Sequence, residues 1–540
     1  MATYKVSRPL IGQSVTQPMF KQKHFRVLLW LGGVALLFAV YISGLSHNPP
    51  GFYVDECALG YNAFLVGHTG AGEFGPRFPL YFEVFTNGFT AYVSPVHVYL
   101  LAVTFLIFPV TIFVARVFGA LWMFIACALL GLLASRICSR GGTNPRCRLI
   151  GIIVAVSALL TPWLFELSRL VLEVNFLPFA LSVVIGAVYF AQVSDFSRWR
   201  QVIAVALSLT LLSYCYTSGR LLGPLLALGM LLFATSKRRF GMIVITDLIY
   251  AISLVPILVF NRHHPDALMR RLYEISYIRP GVSWSEISSR FITRYLEDQS
   301  LAGLLLTGDY HPRHHVQGSG GAVLIGSFIL AIIGLLIIIA RRRRERWWWF
   351  VVYGLAVSII PGALTVEPFH ALRLAAYPVF LLLLMVPALE FLIGTNVPSI
   401  PSIKERSAAN GGMRLSPSLR FSILALLLLL TVVQATYFQA VFRKEGPKRE
   451  FDFDVPYKSL YDTAVAQPTR PIYLEDGRWG PAYMHAFWYA TVEHRPTSEF
   501  IHLPSGGKPT SGALVISSEE TCRNCEIVQR NGVYLLYRAK

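Results

Sequence analysis

Runs of about twenty apolar residues recur along almost the whole of this chain, and no other feature narrows its fold as much. A run of that length crosses the hydrocarbon of a bilayer as a helix, the form in which a single segment satisfies all its own backbone polar groups. Candidate spans are residues 25–44, 117–135, 148–164, 176–192, 201–216, 221–235, 241–260, 321–340, 347–366, 372–394 and 421–441. Composition agrees. Of 540 residues, 54% are hydrophobic and 14% charged, with mean hydropathy +0.53, whereas soluble domains carry about 25% charged residues. The expected fold class is an all-α polytopic membrane protein with about eleven transmembrane helices. The first run, Val27 to Ser43, lacks a small-residue cleavage site and reads as a retained helix.

The net charge of +18 does not indicate nucleic acid, because the position of the charges explains it. Lys and Arg gather in alternate short loops: Lys21, Lys23 and Arg26; Arg136, Arg140, Arg146 and Arg148; Arg198 and Arg200; Lys237 to Arg239; Arg341 to Arg344 with Arg346; and Lys404, Arg406, Arg414 and Arg420. The intervening short loops carry single arginines, Arg169, Arg220 and Arg373. The positive-inside rule makes the first set cytoplasmic, together with the N-terminus, in the plasma (inner) membrane. Val96 to Ala115 is apolar enough to span, but a span there would turn four later clusters outward. Containing Pro109, it reads as a helix lying at, or re-entering, the outer interface.

The two long outer loops are residues 47–95 and 261–320. From Arg443 onward the chain changes character, with Asp, Glu, Pro and short strand-like runs at Pro471–Leu474 and Ala513–Ser517. Asn531-Gly532 between apolar runs is a hairpin signal, and 482–491 looks helical. The division expected is a membrane module over 1–442 and a small extracytoplasmic α/β domain over 443–540. Seven cysteines show no zinc-type spacing. The Cys522/Cys525 pair, assigned to the oxidising side, is expected to form a disulfide.

Five polar clusters lie on the outer side. Asp55-Glu56 follows the first helix among aromatic and apolar residues, where partial desolvation suits a general base; a solvated pair of loop acids is the plainer reading. Ser168-Arg169 precedes Glu173 and Asn175, and Arg169 and Glu173, four apart, can share a helix face as an ion pair. Tyr214 to Arg220 and Pro368 to Arg373 each place an arginine at an outer helix end. There it either snorkels to lipid headgroups or clamps a phosphate with its guanidinium fork. Gly308 to His315 holds His311, Arg313, His314, His315 and Asp309. Its spacing matches no defined metal motif and reads as a polar loop wall, so no metal ligand is assigned, no cofactor is certain, and a divalent metal is left open. Asp247 and Glu390 lie near cytoplasmic helix ends and read as interfacial.

The segments PPGFYVDECALGYNAF (49–64), SRLVLEVN (168–175), YTSGRLL (216–222), GDYHPRHH (308–315) and PFHALRLAAYP (368–378), in that order, carry a resemblance. The chain resembles the GT-C membrane glycosyltransferases, family 39-like, of the protein O-mannosyltransferase and aminoarabinose-transferase type. The resemblance implies a cell-envelope enzyme that takes a hexosyl or pentosyl group from a polyprenyl-phosphate donor. The acceptor is a hydroxyl of a glycan, lipid or protein at the outer face, the last being protein glycosylation. Asp55 matches the family's base. Glu56 and Glu173 match acidic positions near the acceptor, and Arg220 and Arg373 are donor-phosphate candidates. Arg169, Tyr216, His311 and Arg313 complete the expected substrate-binding set. Where relatives carry Lys-Pro-Pro or His-Pro-Pro, this chain has Val93-Ser94-Pro95-Val96.

The main rival is a polytopic transporter, which would place its polar site near the midplane, commonly between repeated halves; neither sign is present. A scaffold displaying the tail leaves the outer acids unexplained.

Overall fold

The computed structural model describes residues 28, 31–85, 88, 90–140, 144–395, 415–504, 507–519, 521–522 and 525–540. The basic clusters at Lys21–Arg26 and Lys404–Arg414 lie outside them. The chain divides after Ser43. In the first unit, helix α1 (Leu31–Tyr41) falls within the first expected span.

In the second unit, the ten remaining expected spans all fall on helices. They are α4 (Ile112–Ser139), α5 (Pro145–Leu160) followed by α6 (Pro162–Leu167), α7 (Leu177–Val193), α8 (Trp199–Cys215) and α9 (Thr217–Gly229). Then come α10 (Lys237–Ser253) with α11 (Val255–His263), α14 (Ile325–Arg341), α15 (Arg346–Val357) with α16 (Ile360–Ala363), α17 (Tyr377–Ile393) and α18 (Pro417–Glu445). Four stretches, Ile112–Ser139, Glu173–Val193, Lys237–His263 and Pro417–Lys448, are long and apolar enough to cross a membrane. The protein is a multi-pass membrane protein. Local chemistry sets several helix starts: the side chains of Thr111, Asn144, Ser236 and Ser416 accept from backbone N–H groups of the first turns of α4, α5, α10 and α18. Helix α17 is buried on nearly every side, as a helix apolar all round should be. Against it, α14 comes so close at Gly334 that an added Cβ would overlap the Leu384 carbonyl.

The basic loops expected on one side do meet. Arg140 pairs with Glu345 at 3.4 Å and Arg342 with Glu390 at 2.5 Å, while Arg239 pairs with Asp195. The Arg346 guanidinium donates to the Leu232 carbonyl at 2.9 Å.

At the other helix ends lie α2 (Val54–Thr69), a short hairpin of β1 (Phe82–Val84) and β2 (Ala91–Val93), and α3 (Pro95–Ile107). Helix α3 packs on α2. The second long loop contains α12 (Arg270–Ile275) and α13 (Trp284–Glu297).

The tail contains α19 (Val455–Ala466), β3 (Ile472–Glu475), α20 (Tyr483–Val492), β4 (Phe500–His502), β5 (Leu514–Ser517), β6 (Cys525–Asn531) and β7 (Tyr534–Ala539). The five strands form one sheet of order β4-β3-β5-β7-β6. Strand β3 is parallel to both its neighbours, and β7 is antiparallel to both of its own. The expected hairpin at Asn531-Gly532 joins β6 and β7, and Cys522 and Cys525 are disulfide-bonded. A second disulfide, Cys138–Cys147, closes the α4–α5 turn. The tail's core is continuous with that of α2 and α3. Trp488 stacks on Phe52 with ring centres 5.0 Å apart and fills the space over Gly60.

Candidate functional site

The site begins with the loop 49–56, and Arg116 of α4 shapes it. Its guanidinium donates to the carbonyls of Pro49, at 2.7 Å, and Gly51, and lies 3.5 Å from the Glu56 carboxylate. Glu56 also accepts from the backbone N–H of Tyr53 at 3.0 Å and of Val171 at 2.8 Å, and is completely buried. Burial pushes its carboxyl up, while Arg116 and the two N–H groups oppose that. With its oxygens committed to protein donors, Glu56 holds the loop's shape. Asp55 is only half-buried. Burial raises its pKa above 3.8, against the pull of Arg313, Arg271 and the Tyr53 hydroxyl. A carboxylate so placed is a better proton acceptor than a solvated one. The fold thus separates two acids that are alike in sequence.

Arg313 reaches this place because its loop is fastened on every side. Glu166 of α6 accepts from the Val316 N–H at 2.7 Å and from His315 Nδ1 at 2.6 Å. Arg449 donates to the Pro312 carbonyl at 2.6 Å. Asp309 accepts from the His311 N–H at 2.9 Å, from His314 Nδ1 at 3.0 Å and from the Ala371 N–H at 2.7 Å. So held, Arg313 lies 4.0 Å over the Tyr53 ring.

A second group adjoins the first. Glu173 accepts from the Ser94 N–H, Arg220 in the first turn of α9 reaches the Ser94 hydroxyl at 3.5 Å, and the same guanidinium lies 4.6 Å over Tyr81. Ser94, standing in the departure from the Lys-Pro-Pro pattern, therefore joins an acid to an arginine. Tyr216 sits at the break between α8 and α9, within electrostatic reach of Glu173, Arg373, Arg271 and Asp55. Arg373 pairs with Glu367 at 2.7 Å and donates to Thr365 at 2.8 Å. His311 Nε2 is 3.5 Å from the same Glu367.

One expectation fails. Arg169 and Glu173 share no helix face, because α6 ends at Leu167 and Glu173 opens a separate 3₁₀ turn. Arg169 is buried instead, its guanidinium 4.1 Å over the Phe165 ring and 5.3 Å over the Phe442 ring. Sequence reasoning missed Arg116, Glu166, Arg271 and Glu367. A lone arginine inside an apolar stretch was a usable signal for Arg116. The others have none, because their partners are far away in the chain.

No family model and no curated protein matches the sequence. The three-dimensional arrangement does have relatives. ArnT from Cupriavidus metallidurans in the apo state superimposes with a TM-score of 0.56, over 96% of this chain and 98% of that one, at 12% identity. The fold is that of ArnT. A second ArnT structure, bound to undecaprenyl phosphate, matches with a TM-score of 0.56 over 95% of this chain and 97% of its own, at 11% identity. Both matches include the tail, so the ArnT fold accounts for the helical module and the small sheet domain together. The helical membrane module with a small C-terminal sheet domain, expected from the sequence, is the architecture this chain adopts.

Proposed function

We propose that this protein is a membrane glycosyltransferase that moves a sugar from a polyprenyl-phosphate donor to an acceptor hydroxyl at the outer face, with Asp55 as base. The observation that carries this reading is the setting of Asp55. It is half-buried at a helix start, within electrostatic reach of Arg313, Arg271, Tyr216 and Glu173. Glycosyl transfer needs that pairing: a base to take the acceptor's proton, and cations to stabilise the phosphate that leaves. The ArnT fold, seen with undecaprenyl phosphate in one relative, supports a donor of that chemistry. Arg220, Arg373 and Arg271 are the phosphate ligands in this reading, with Arg271 the most exposed of them. Arg313 and His311 line the approach, and the N-terminus is cytoplasmic with the tail outside.

The test is complementation. Deleting the gene should remove a sugar from a cell-envelope glycan, lipid or protein, read by mass spectrometry, and the wild-type gene should restore it. Asp55→Asn should still bind undecaprenyl phosphate yet lose roughly a hundredfold or more in transfer rate. Full complementation by Asp55→Asn would place the base elsewhere. An unchanged envelope in the deletion strain would count against the enzyme reading altogether.

A further inference from the structure

A second group of polar side chains lies at the far ends of the helices. At about 1.5 Å per residue, Arg116 near the start of α4 and Arg140 at its end stand roughly 36 Å apart. Around Arg140 the ends of α4 and α7 and the turn from α14 to α15 form a pocket of about 210 Å³. Pockets that enclose a whole drug-sized molecule measure roughly 300–1,000 Å³, so this one suits a headgroup. Arg140 and Arg342 bring two guanidinium groups to its wall, and Glu345 one carboxylate. Glu345 is 3.4 Å from Arg140 and 3.9 Å from Arg342, whose close partner is Glu390 instead. Arg341, Arg343, Arg344 and Arg346, in the same stretch of chain, leave the surroundings strongly positive.

Two further observations indicate what the pocket takes. Trp347 lines it, is more than nine-tenths buried, and its indole N–H has no hydrogen-bond partner among the described residues. A buried donor without an acceptor costs free energy, and an anion is the partner such a donor suits. The pocket also continues into an apolar trough. Val193, on its wall, and Phe190, one turn deeper on α7, are 56% and 52% exposed. One turn deeper again, Gly186 has open space where a side chain would stand. These three positions share one face of the helix.

We propose that this pocket binds the phosphate of one anionic glycerophospholipid, with an acyl chain lying along the Gly186–Phe190–Val193 face of α7. The guanidinium fork of Arg140 matches phosphate oxygens, and Trp347 adds an N–H donor. Basic pockets between helix ends are suited to holding such headgroups, on the face where arginines gather. The trough is what favours a lipid over free phosphate. A lipid seated there would tie α4 and α7 to the turn between α14 and α15. Lipid binding is its own readout, so the proposal stands or falls apart from the transferase reading.

The experiment uses full-length protein in detergent, delipidated and titrated with phosphatidylglycerol or phosphatidylcholine, with bound lipid counted by native mass spectrometry. The wild type should retain one phosphatidylglycerol per chain and release phosphatidylcholine. Arg140→Gln should weaken that retention about fivefold, the scale of one basic residue against an anionic lipid. Trp347→Phe keeps the ring's packing and loses only the donor; it should weaken retention about tenfold, the scale of one hydrogen bond to a charged group. Both variants should keep the lipid-free Tm of the wild type. Short-chain phosphatidylglycerol should displace the bound lipid, and inorganic phosphate at the same concentration should not. Equal retention of the two lipids by the wild type would overturn the proposal, as would unchanged retention in both variants. Displacement by inorganic phosphate as effective as by the short-chain lipid would make this a free-phosphate site and overturn it too.

Discussion

The backbone N–H of Val54, one residue before Asp55, donates to the carboxylate of Asp454 in the tail at 3.2 Å. The same Asp454 oxygen lies 3.2 Å from His485 Nε2, and its other oxygen accepts from the Tyr534 hydroxyl at 2.9 Å. His485 continues to Cys57 Sγ, at 3.2 Å. The sheet domain therefore grips the start of α2 on both sides of Asp55.

Asp454→Asn should accordingly slow transfer without removing the base. Replacing one acceptor oxygen by an amide leaves at least one of these donors unmatched, a cost of about 1–3 kcal/mol. The expected result is a lower Tm and a fall in kcat of about tenfold, with donor KM little changed. Steady-state kinetics beside thermal melts check it, and unaltered kcat would mean that the tail does not position Asp55.

Glu56→Gln should act on the fold before it acts on catalysis. The change leaves the Arg116 guanidinium buried without its charge partner, and breaking such a pair costs about 3–5 kcal/mol. The variant should melt well below the wild type or fail to accumulate. A stable Glu56→Gln protein with abolished transfer would instead give Glu56 a chemical part.

The pH dependence of transfer should report Asp55. A base acts when deprotonated, and burial raises this carboxyl above 3.8. Activity should therefore fall as pH drops through that raised value, giving an acid limb above the ordinary carboxylate range. The residual rate of Asp55→Asn should lack that limb.

A separate pH effect bears on stability. Glu73 accepts from the Tyr483 hydroxyl at 2.5 Å, joining the outer loop to the tail. Burial pushes its carboxyl up to about 7 from 4.5, although the Tyr483 hydrogen bond opposes this. A raised acid stabilises the fold in its protonated form. That contribution is complete below about 4.5 and is lost as pH rises through about 7. Tm should therefore decline across this window, and Glu73→Gln, which mimics the protonated acid, should flatten the decline. An equal decline in the variant would assign the effect to other groups.

Cysteine labelling tests the orientation. Arg343 lies in the basic turn between α14 and α15, and Arg290 on α13 at the other end of the helices; both are exposed. Arg290→Cys should react with a membrane-impermeant maleimide in intact cells, and Arg343→Cys only after permeabilisation. The opposite pattern would turn the molecule over.

The helical spans, the tail's hairpin and the candidate acid pair were legible in the sequence, because each depends on local pattern. Apolar length marks a span, Asn-Gly marks a tight turn, and basic loops mark one membrane face. What the sequence could not decide was always a pairing between distant residues. Nothing local distinguishes Asp55 from Glu56. Arg116, sixty residues on, claims the second and leaves the first facing Arg313. Nothing in 308–315 announces the cluster it joins either, because His370 and Glu367 come from a turn about sixty residues away. Periodicity and composition act through neighbours in the chain. Charge partners and ligand atoms are chosen by neighbours in space, and only the tertiary fold determines those.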